Sequence, residues 1–230
     1  MPTSGSTDFT LTLSQIIEDA YEHISVVQEG ETVDADRFTF AQRQLNVMIK
    51  LMAADGRHLF AMKQGTLPLV VGQKSYTIGP GGNLNITRPT KIHDPVFRSS
   101  TGYDRPIWLI SRSNYWNQPN KDIQGKTTQV YYDPQLSLGV LYVWPAPDSA
   151  SDSILFTYEQ QIEDYDQTTD SMPVPVEWGE YLIWGLALRL CGRENVPLAD
   201  RSFIIQMAKN AKDLLDGFDT ENASIQFGVE

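Results

Sequence analysis

Eight residues, EDYDQTTD from Glu163 to Asp170, hold the densest set of groups in this chain that could do chemistry. Glu163, Asp164, Asp166 and Asp170 could supply oxygen ligands to calcium. They could also supply the carboxylate pair of a carbohydrate-active, cell-wall hydrolase drawing on the whole run from Glu159 to Asp170. A calcium loop normally turns on a glycine, and none is present here. A glycosidase needs its two carboxylates at a defined separation on rigid elements, which a loop does not assure. The favoured reading is a solvated acidic linker, with the hydrolase as the alternative.

Tryptophans form the second set. Trp108, Trp116 and Trp144 come from separate segments, with Tyr115 beside one of them. They could make a sugar-binding platform, but large aromatic side chains equally anchor contacts between chains. Trp178 and Trp184 belong to a run that reads as a buried helix. His23, His58 and His93 are scattered without metal-ligand spacing. Cys191 is the only cysteine, so neither an internal disulfide nor a thiolate cluster is possible, and its apolar surroundings predict a buried thiol. No HExxH, GxSxG, Walker A loop or GxGxxG occurs, and the turn GPGG has no Lys-Ser/Thr after it. No catalytic set, metal or cofactor is expected.

The net charge of -11 is unevenly placed. From Thr127 to Leu188 there is no Lys, Arg or His but there are ten acids, while the remainder carries 19 acids against 18 bases. A surface that grips nucleic-acid phosphates needs clustered Lys and Arg, so this half argues against a DNA-gripping groove. It suits a surface that DNA slides past, one that faces a basic partner, or simple solvation. At 41% hydrophobic residues the chain can bury a core, yet no run approaches the roughly 18 to 20 apolar residues of a membrane span. MPTSGSTDFT lacks a signal-peptide pattern, so the expectation is a protein folded in a cytosol, with no membrane partner.

The elements that must position these groups are of two kinds. Thr12 with Gln15 predicts a capping box, followed by the helical stripe Leu13, Ile16, Ile17, Ala20 and Ile24. Asp36 is the expected cap of a second helix with Phe38, Ala41, Leu45, Met48 and Met52 on one face, stopped at Asp55-Gly56. From Leu67 the period becomes two. LPLVVGQKSYTI predicts two strands about Gly72, GPGGN a turn, and Lys91 to Arg98 with Pro106 to Ile110 a hairpin bending at Gly102. QVYY, GVLYVW and ILFTYEQ predict a three-stranded antiparallel meander in a small sandwich or barrel. Pro89, Pro95, Pro106, Pro134 and Pro145 are expected at strand ends or edges. In LYVWPAP, Leu141 and Val143 should face one side and Tyr142 and Trp144 the other. Pro145 and Pro147 should then stop the ladder and hold the loop from Asp148 to Ser153 away from the sheet. Pro175 and Glu177 open a helix that is apolar nearly all round, and Asp200 is the expected cap of a last helix with Ile204, Met207, Ala208, Ala211, Leu214, Leu215 and Phe218 on its face.

The predicted fold is α+β: a helical bundle formed from N- and C-terminal helices, with an inserted antiparallel β domain and an extended C-terminal arm. The expected limits are 1–64 with 171–218 for the bundle, 65–170 for the β domain and 219–230 for the arm. The arm, DTENASIQFGVE, has no helical stripe but alternates Ile225, Phe227 and Val229. That pattern fits an extended segment added to another surface, the other reading being a frayed end.

AQRQLNVMIKLMAADG, LPLVVGQKSYTI, RPIWLISRSNYW, GVLYVWPAP with ILFTYEQ, PVEWGEYLIWGLALRL and the ending DTENASI, in that order, resemble the head-to-tail adaptor family of short-tailed bacteriophages. This family is also described as tail accessory factors or packaged-DNA stabilisation proteins. The resemblance implies a structural virion protein at the head-tail junction, assembled in the bacterial host cytoplasm, with no enzymatic turnover. It implies a ring of about twelve identical subunits docked under the portal protein and completing the DNA channel. Packaged DNA would pass without sequence-specific binding, and the tail nozzle, hub or tube would attach below. The portal-binding arm would then use Asp219, Glu221, Ser224, Ile225 and Phe227. The β-domain interface would use Trp108, Trp116, Trp144, Pro145 and Pro147. Glu163, Asp164, Asp166 and Asp170 would form an acidic region facing the channel or the tail.

Overall fold

A computed structural model describes residues 5–28, 30–55 and 59–218, which are mixed α+β and fall in two compact units, Met1–Phe60 with Ile162–Glu230 and Ala61–Gln161. In chain order come α1 (Leu13–His23), α2 (Ala35–Asp55), β1 (Met62–Pro68), β2 (Ser75–Ile78), β3 (Ile92–Arg98), β4 (Asp104–Pro106) and β5 (Trp108–Leu109). Then follow α3 (Arg112–Trp116), β6 (Gln124–Gly125), β7 (Gln129–Asp133), β8 (Gly139–Trp144), β9 (Ala146–Pro147), β10 (Ser153–Glu159), α4 (Gly179–Leu190) and α5 (Leu198–Phe218). Gly56, His58 and the arm 219–230 lie outside the described residues.

In the helical unit the capping box forms as its residues predict. The Thr12 N–H donates to Gln15 Oε1 at 2.9 Å, and the Gln15 N–H returns to Thr12 Oγ1 at 3.5 Å. Leu13, Ile16, Ile17 and Ala20 are wholly buried behind this start, and Ala41, Leu45, Met48, Ile49 and Met52 form the buried face of α2. Burying each large apolar side chain contributes about 1.5–3 kcal/mol, enough to hold two helices that would be marginal alone. Two expected caps are corrected. Asp36 and Asp200 sit in the first turns of α2 and α5, because the helices begin earlier: Asp34 O accepts the Phe38 N–H, and Pro197 O accepts the N–H groups of Asp200 and Arg201. An acid inside the first turn still complements the helix dipole.

Helix α4 carries buried residues on most of its circumference, as its composition predicts, and packs against α1, α2 and α5. Gly185 lets α2 come close, since a Cβ there would lie 2.8 Å from Met48 Sδ. Cys191 is buried, and desolvation pushes its thiol pKa up, so it stays a neutral packing residue. On α5 the buried stripe is Ile204, Ala208, Ala211 and Leu215, whereas Leu214 is 73% exposed. Leu214 falls about 100° around the helix from Leu215 and so leaves the stripe.

The second unit is a sandwich. Its sheets run β1–β10–β3–β4 and β2–β8–β7–β5, and their inward residues, among them Leu67, Phe97, Ile154 and Phe156 from one and Ile78, Val130, Leu141 and Val143 from the other, make one core. The first sheet is antiparallel throughout; in the second, β5 runs parallel to β7. QVYY and GVLYVW pair antiparallel as expected, with Val130 opposite Val143. The third strand of the expected meander is a correction: ILFTYEQ crosses to the other sheet and lies between β1 and β3. There both edges of its backbone are paired, and Ile154, Phe156 and Tyr158 face the core. The strand expected at Leu67 to Val71 is also displaced. It is Met62–Pro68, while the Val70 N–H donates to the Tyr76 hydroxyl and Gly72 turns the chain at φ +73°. Pro95 lies in an interior strand rather than at an edge. It is accommodated by a bulge, with Asp94 at φ +46° and a register shift between Leu155 and Thr157.

Candidate interaction surfaces

Glu163 to Asp170 belong to the helical unit, and the stretch is not a free linker. Gln42, Asn46 and Lys50 recur every fourth residue on α2, so they project from one face. They tie down the backbone of the passing segment. Lys50 Nζ donates to Ile162 O at 2.6 Å, Asn46 exchanges two hydrogen bonds of 2.9 Å with the backbone of Tyr165, and Gln42 Nε2 donates to Tyr165 O and Asp166 O. The Tyr165 ring is buried beneath, its hydroxyl without a hydrogen-bond partner among the described residues, and desolvation raises its pKa strongly. A groove of about 560 Å³ runs beside this strap, with Val47 and Leu51 exposed along it.

The four acids do not converge. Glu163 and Asp166 are exposed, Asp164 pairs with Lys50 at 2.8 Å, and Asp170 turns back to accept the N–H groups of Asp166 and Gln167 at 2.8 and 2.7 Å. Among the described residues no group of three or more His, Cys, Asp or Glu could hold a metal ion. Glu159, the first acid of the run, is buried on β10 with Oε1 2.8 Å from His93 Nε2 and Oε2 3.5 Å from Lys91 Nζ. The two backbone donors lower the pKa of Asp170 below its ordinary value of 3.8. A depressed carboxylate contributes stability that is complete above the ordinary value and lost as pH falls through the lower folded one. Asp170→Asn should therefore weaken the acid-side fall of the helical unit's unfolding midpoint, as followed by circular dichroism between pH 5 and pH 2, roughly the range over which a native-state carboxylate is titrated.

Of the tryptophans, Trp108 is 75% exposed on the edge strand β5 and Trp116 is half exposed at the end of α3. Helix α3 covers the outer face of the second sheet through Tyr115 and Trp116, whose rings lie 5.1 and 6.0 Å from Tyr142, with Lys121 Nζ 5.4 Å from the Trp116 ring. Trp144 is different: half-buried, it donates Nε1–H to Asn120 O at 2.9 Å and fastens a loop. Trp178 and Trp184 are buried in the helical core, as their run predicts.

LYVWPAP alternates as expected, with Leu141 and Val143 buried. The β8 ladder ends before Pro145, but the chain does not leave the fold, which corrects the expected boundary. Ala146 and Pro147 form β9 and pair in parallel with β6, the Ala146 N–H donating to Ile123 O and the Gly72 N–H to Pro147 O. Pro147 is buried. Nor is the following loop held away from the sheets. Asp152 is 3% exposed, accepting the Ser100 N–H at 3.0 Å on Oδ1 and Lys126 Nζ at 2.8 Å on Oδ2. Asp152 shares the phase of Ile154, Phe156 and Tyr158, a signal that places it inward. The burial of Glu159, on the opposite phase, has no such signal.

Asp219, Glu221, Ser224, Ile225 and Phe227 lie outside the described residues, so the described interaction surfaces are the α2 groove with its acidic strap and the exposed Trp108 and Trp116. A family model described as SU10 adaptor protein matches residues 11–225. A search of curated proteins gave no match.

Proposed function

Because this chain belongs to the SU10 adaptor protein family, a family of phage head-to-tail adaptors, we propose that it is the structural ring subunit that docks under the portal of a virion. In this reading about twelve copies close a ring through a heterologous interface, in which one patch meets a different patch on the neighbour. The ring completes the DNA channel, helps to retain packaged DNA without reading its sequence, and offers the attachment site for the tail. The sandwich is an insert in the helical bundle and faces the tail through Trp108 and Trp116, with Trp144, Pro145 and Pro147 stiffening that surface from within. The bundle and the arm 219–230 face the portal. Glu163, Asp164, Asp166 and Asp170 give the channel or tail side a surface that DNA slides past.

The observation that carries the reading is a family match running along nearly the whole chain, through both units. The exposed Trp108 and Trp116 support it, being anchors of the kind that dominate contacts between chains. The test is native mass spectrometry of portal rings mixed with increasing amounts of the protein. A mass gain that saturates at about one adaptor per portal subunit is expected for ring closure. Portal rings whose mass does not change at any ratio would remove the proposal.

A further inference from the structure

The groove beside α2 is open, and among the described residues none from α5 lines it. Its volume is about 560 Å³, and Val47 and Leu51, one helical turn apart, leave apolar side chains exposed along it. Arg43, one turn before Val47, lines the same groove; its guanidinium lies 5.5 Å from the Phe40 ring and, among the described residues, pairs with no carboxylate. Helix α5 shows the converse. Beside the stripe that it buries against α4, a second stripe runs along its outer side, with Phe203 and Leu214 exposed and Met207 half-buried. At about 100° per residue these three fall within about 40° of one another around the helix. Asp200 and Asp213, both exposed, border this stripe, whereas Lys209 and Lys212 lie on the opposite side of the helix. The two faces are held apart by α4, whose Gly185 lies against Met48 of α2 while the neighbouring Trp184 meets Phe203 edge-on at 5.8 Å.

An amphipathic helix docks in an apolar groove through residues one and two turns apart, which is the spacing of the second stripe. Both halves of such a contact stand on the helical unit of this one chain, one concave and basic, the other convex and acidic. We propose that the α5 stripe of one copy enters the α2 groove of the next copy. Phe203, Met207 and Leu214 cover Val47 and Leu51, and the acids that border the stripe face Arg43. Opposite charges at the margin fix the register and disfavour groove against groove or stripe against stripe. Because the patches are unlike, each added copy leaves one groove and one stripe free, so the contact repeats until the ring closes. This inference rests on the ring reading above and names the faces that make the ring.

Native mass spectrometry with portal rings tests it, using the full chain, Val47→Glu and Leu214→Glu. Both positions are exposed and glutamate is a good helix former, so circular dichroism should be unchanged in each variant. Each should need at least about tenfold more protein than the unaltered chain to saturate the portal, because a carboxylate is forced into an apolar contact. Mixed in equal amounts, the two variants should add copies in pairs, since the intact stripe of Val47→Glu still fits the intact groove of Leu214→Glu. Either variant alone should add copies singly. If the unaltered chain adds no mass, the ring reading fails and this inference with it. If the unaltered chain saturates the portal and both variants do so at the same concentration, the ring stands and these faces do not make it. Loss with Val47→Glu alone would give the groove to a segment of the portal and equally overturn the pairing with α5.

Discussion

Gly139→Ala should lower the unfolding midpoint of the sandwich by roughly 10–20 °C, the equivalent of about 3 kcal/mol in a unit of this size. Gly139 opens β8 directly beside the Tyr132 ring, and a Cβ there would run into the phenol of Tyr132. The ring has nowhere to go. Its hydroxyl donates to Pro89 O at 2.7 Å in a buried hydrogen bond, and burial has already pushed the hydroxyl pKa up to about 12. Relief requires either breaking that hydrogen bond inside the core or displacing the end of β8 from β2 and β7. Gly125→Ala is the control: its Cβ would meet only Pro145, at an ordinary 3.8 Å, so a change of about 0.5 kcal/mol or less is expected. Thermal melts of the two variants side by side check the pair. Equal melts would mean that the Tyr132 ring moves freely.

Deleting residues 219–230 should weaken capture by the portal at least about a hundredfold and leave both units folded. The segment carries Ile225, Phe227 and Val229 in alternation, and burying side chains of this size is worth about 1.5–3 kcal/mol each. The cost of association cancels part of that gain, and roughly 3 kcal/mol remains, which already exceeds a hundredfold. In a ring the loss is multiplied, because each arm that engages raises the effective concentration of the next. The measurement is co-sedimentation of the shortened chain with portal rings, read beside its circular dichroism. Undiminished binding would place the portal contact in the helices alone.

How far the sequence reveals this structure depends on whether a feature is local. The capping box at Thr12 and the stripe from Leu13 to Ala20 are visible because each depends on neighbours within two helical turns. Val130, Leu141 and Val143 are visible as inward residues for the same reason, since alternation fixes the face of a strand. Alternation says nothing of which strand lies alongside, so ILFTYEQ reads as the third member of a meander although it completes the opposite sheet. Among the site residues, Gln42, Asn46 and Lys50 read as the solvent face of a helix, because the backbone they hold lies more than 100 residues away. The acids from Glu163 to Asp170 are legible as a cluster, but whether they converge is decided by that strap and by the turn that Asp170 makes on its own backbone. Exposure of Trp108 and Trp116 against the half-burial of Trp144 is likewise set by α3 and a loop, not by the residue type.

The division of the chain also sets an order of events during synthesis. The sandwich, Ala61–Gln161, is one continuous run, whereas the helical unit is made from two separate lengths. Once the ribosome has released Gln161, the sandwich holds every strand it needs, while α1 and α2 still present Leu13, Ile16, Leu45 and Met48 with no α4 to cover them. At about 5–20 residues per second the first two helices wait on the order of ten seconds for Leu182, Leu186 and Leu190 to emerge.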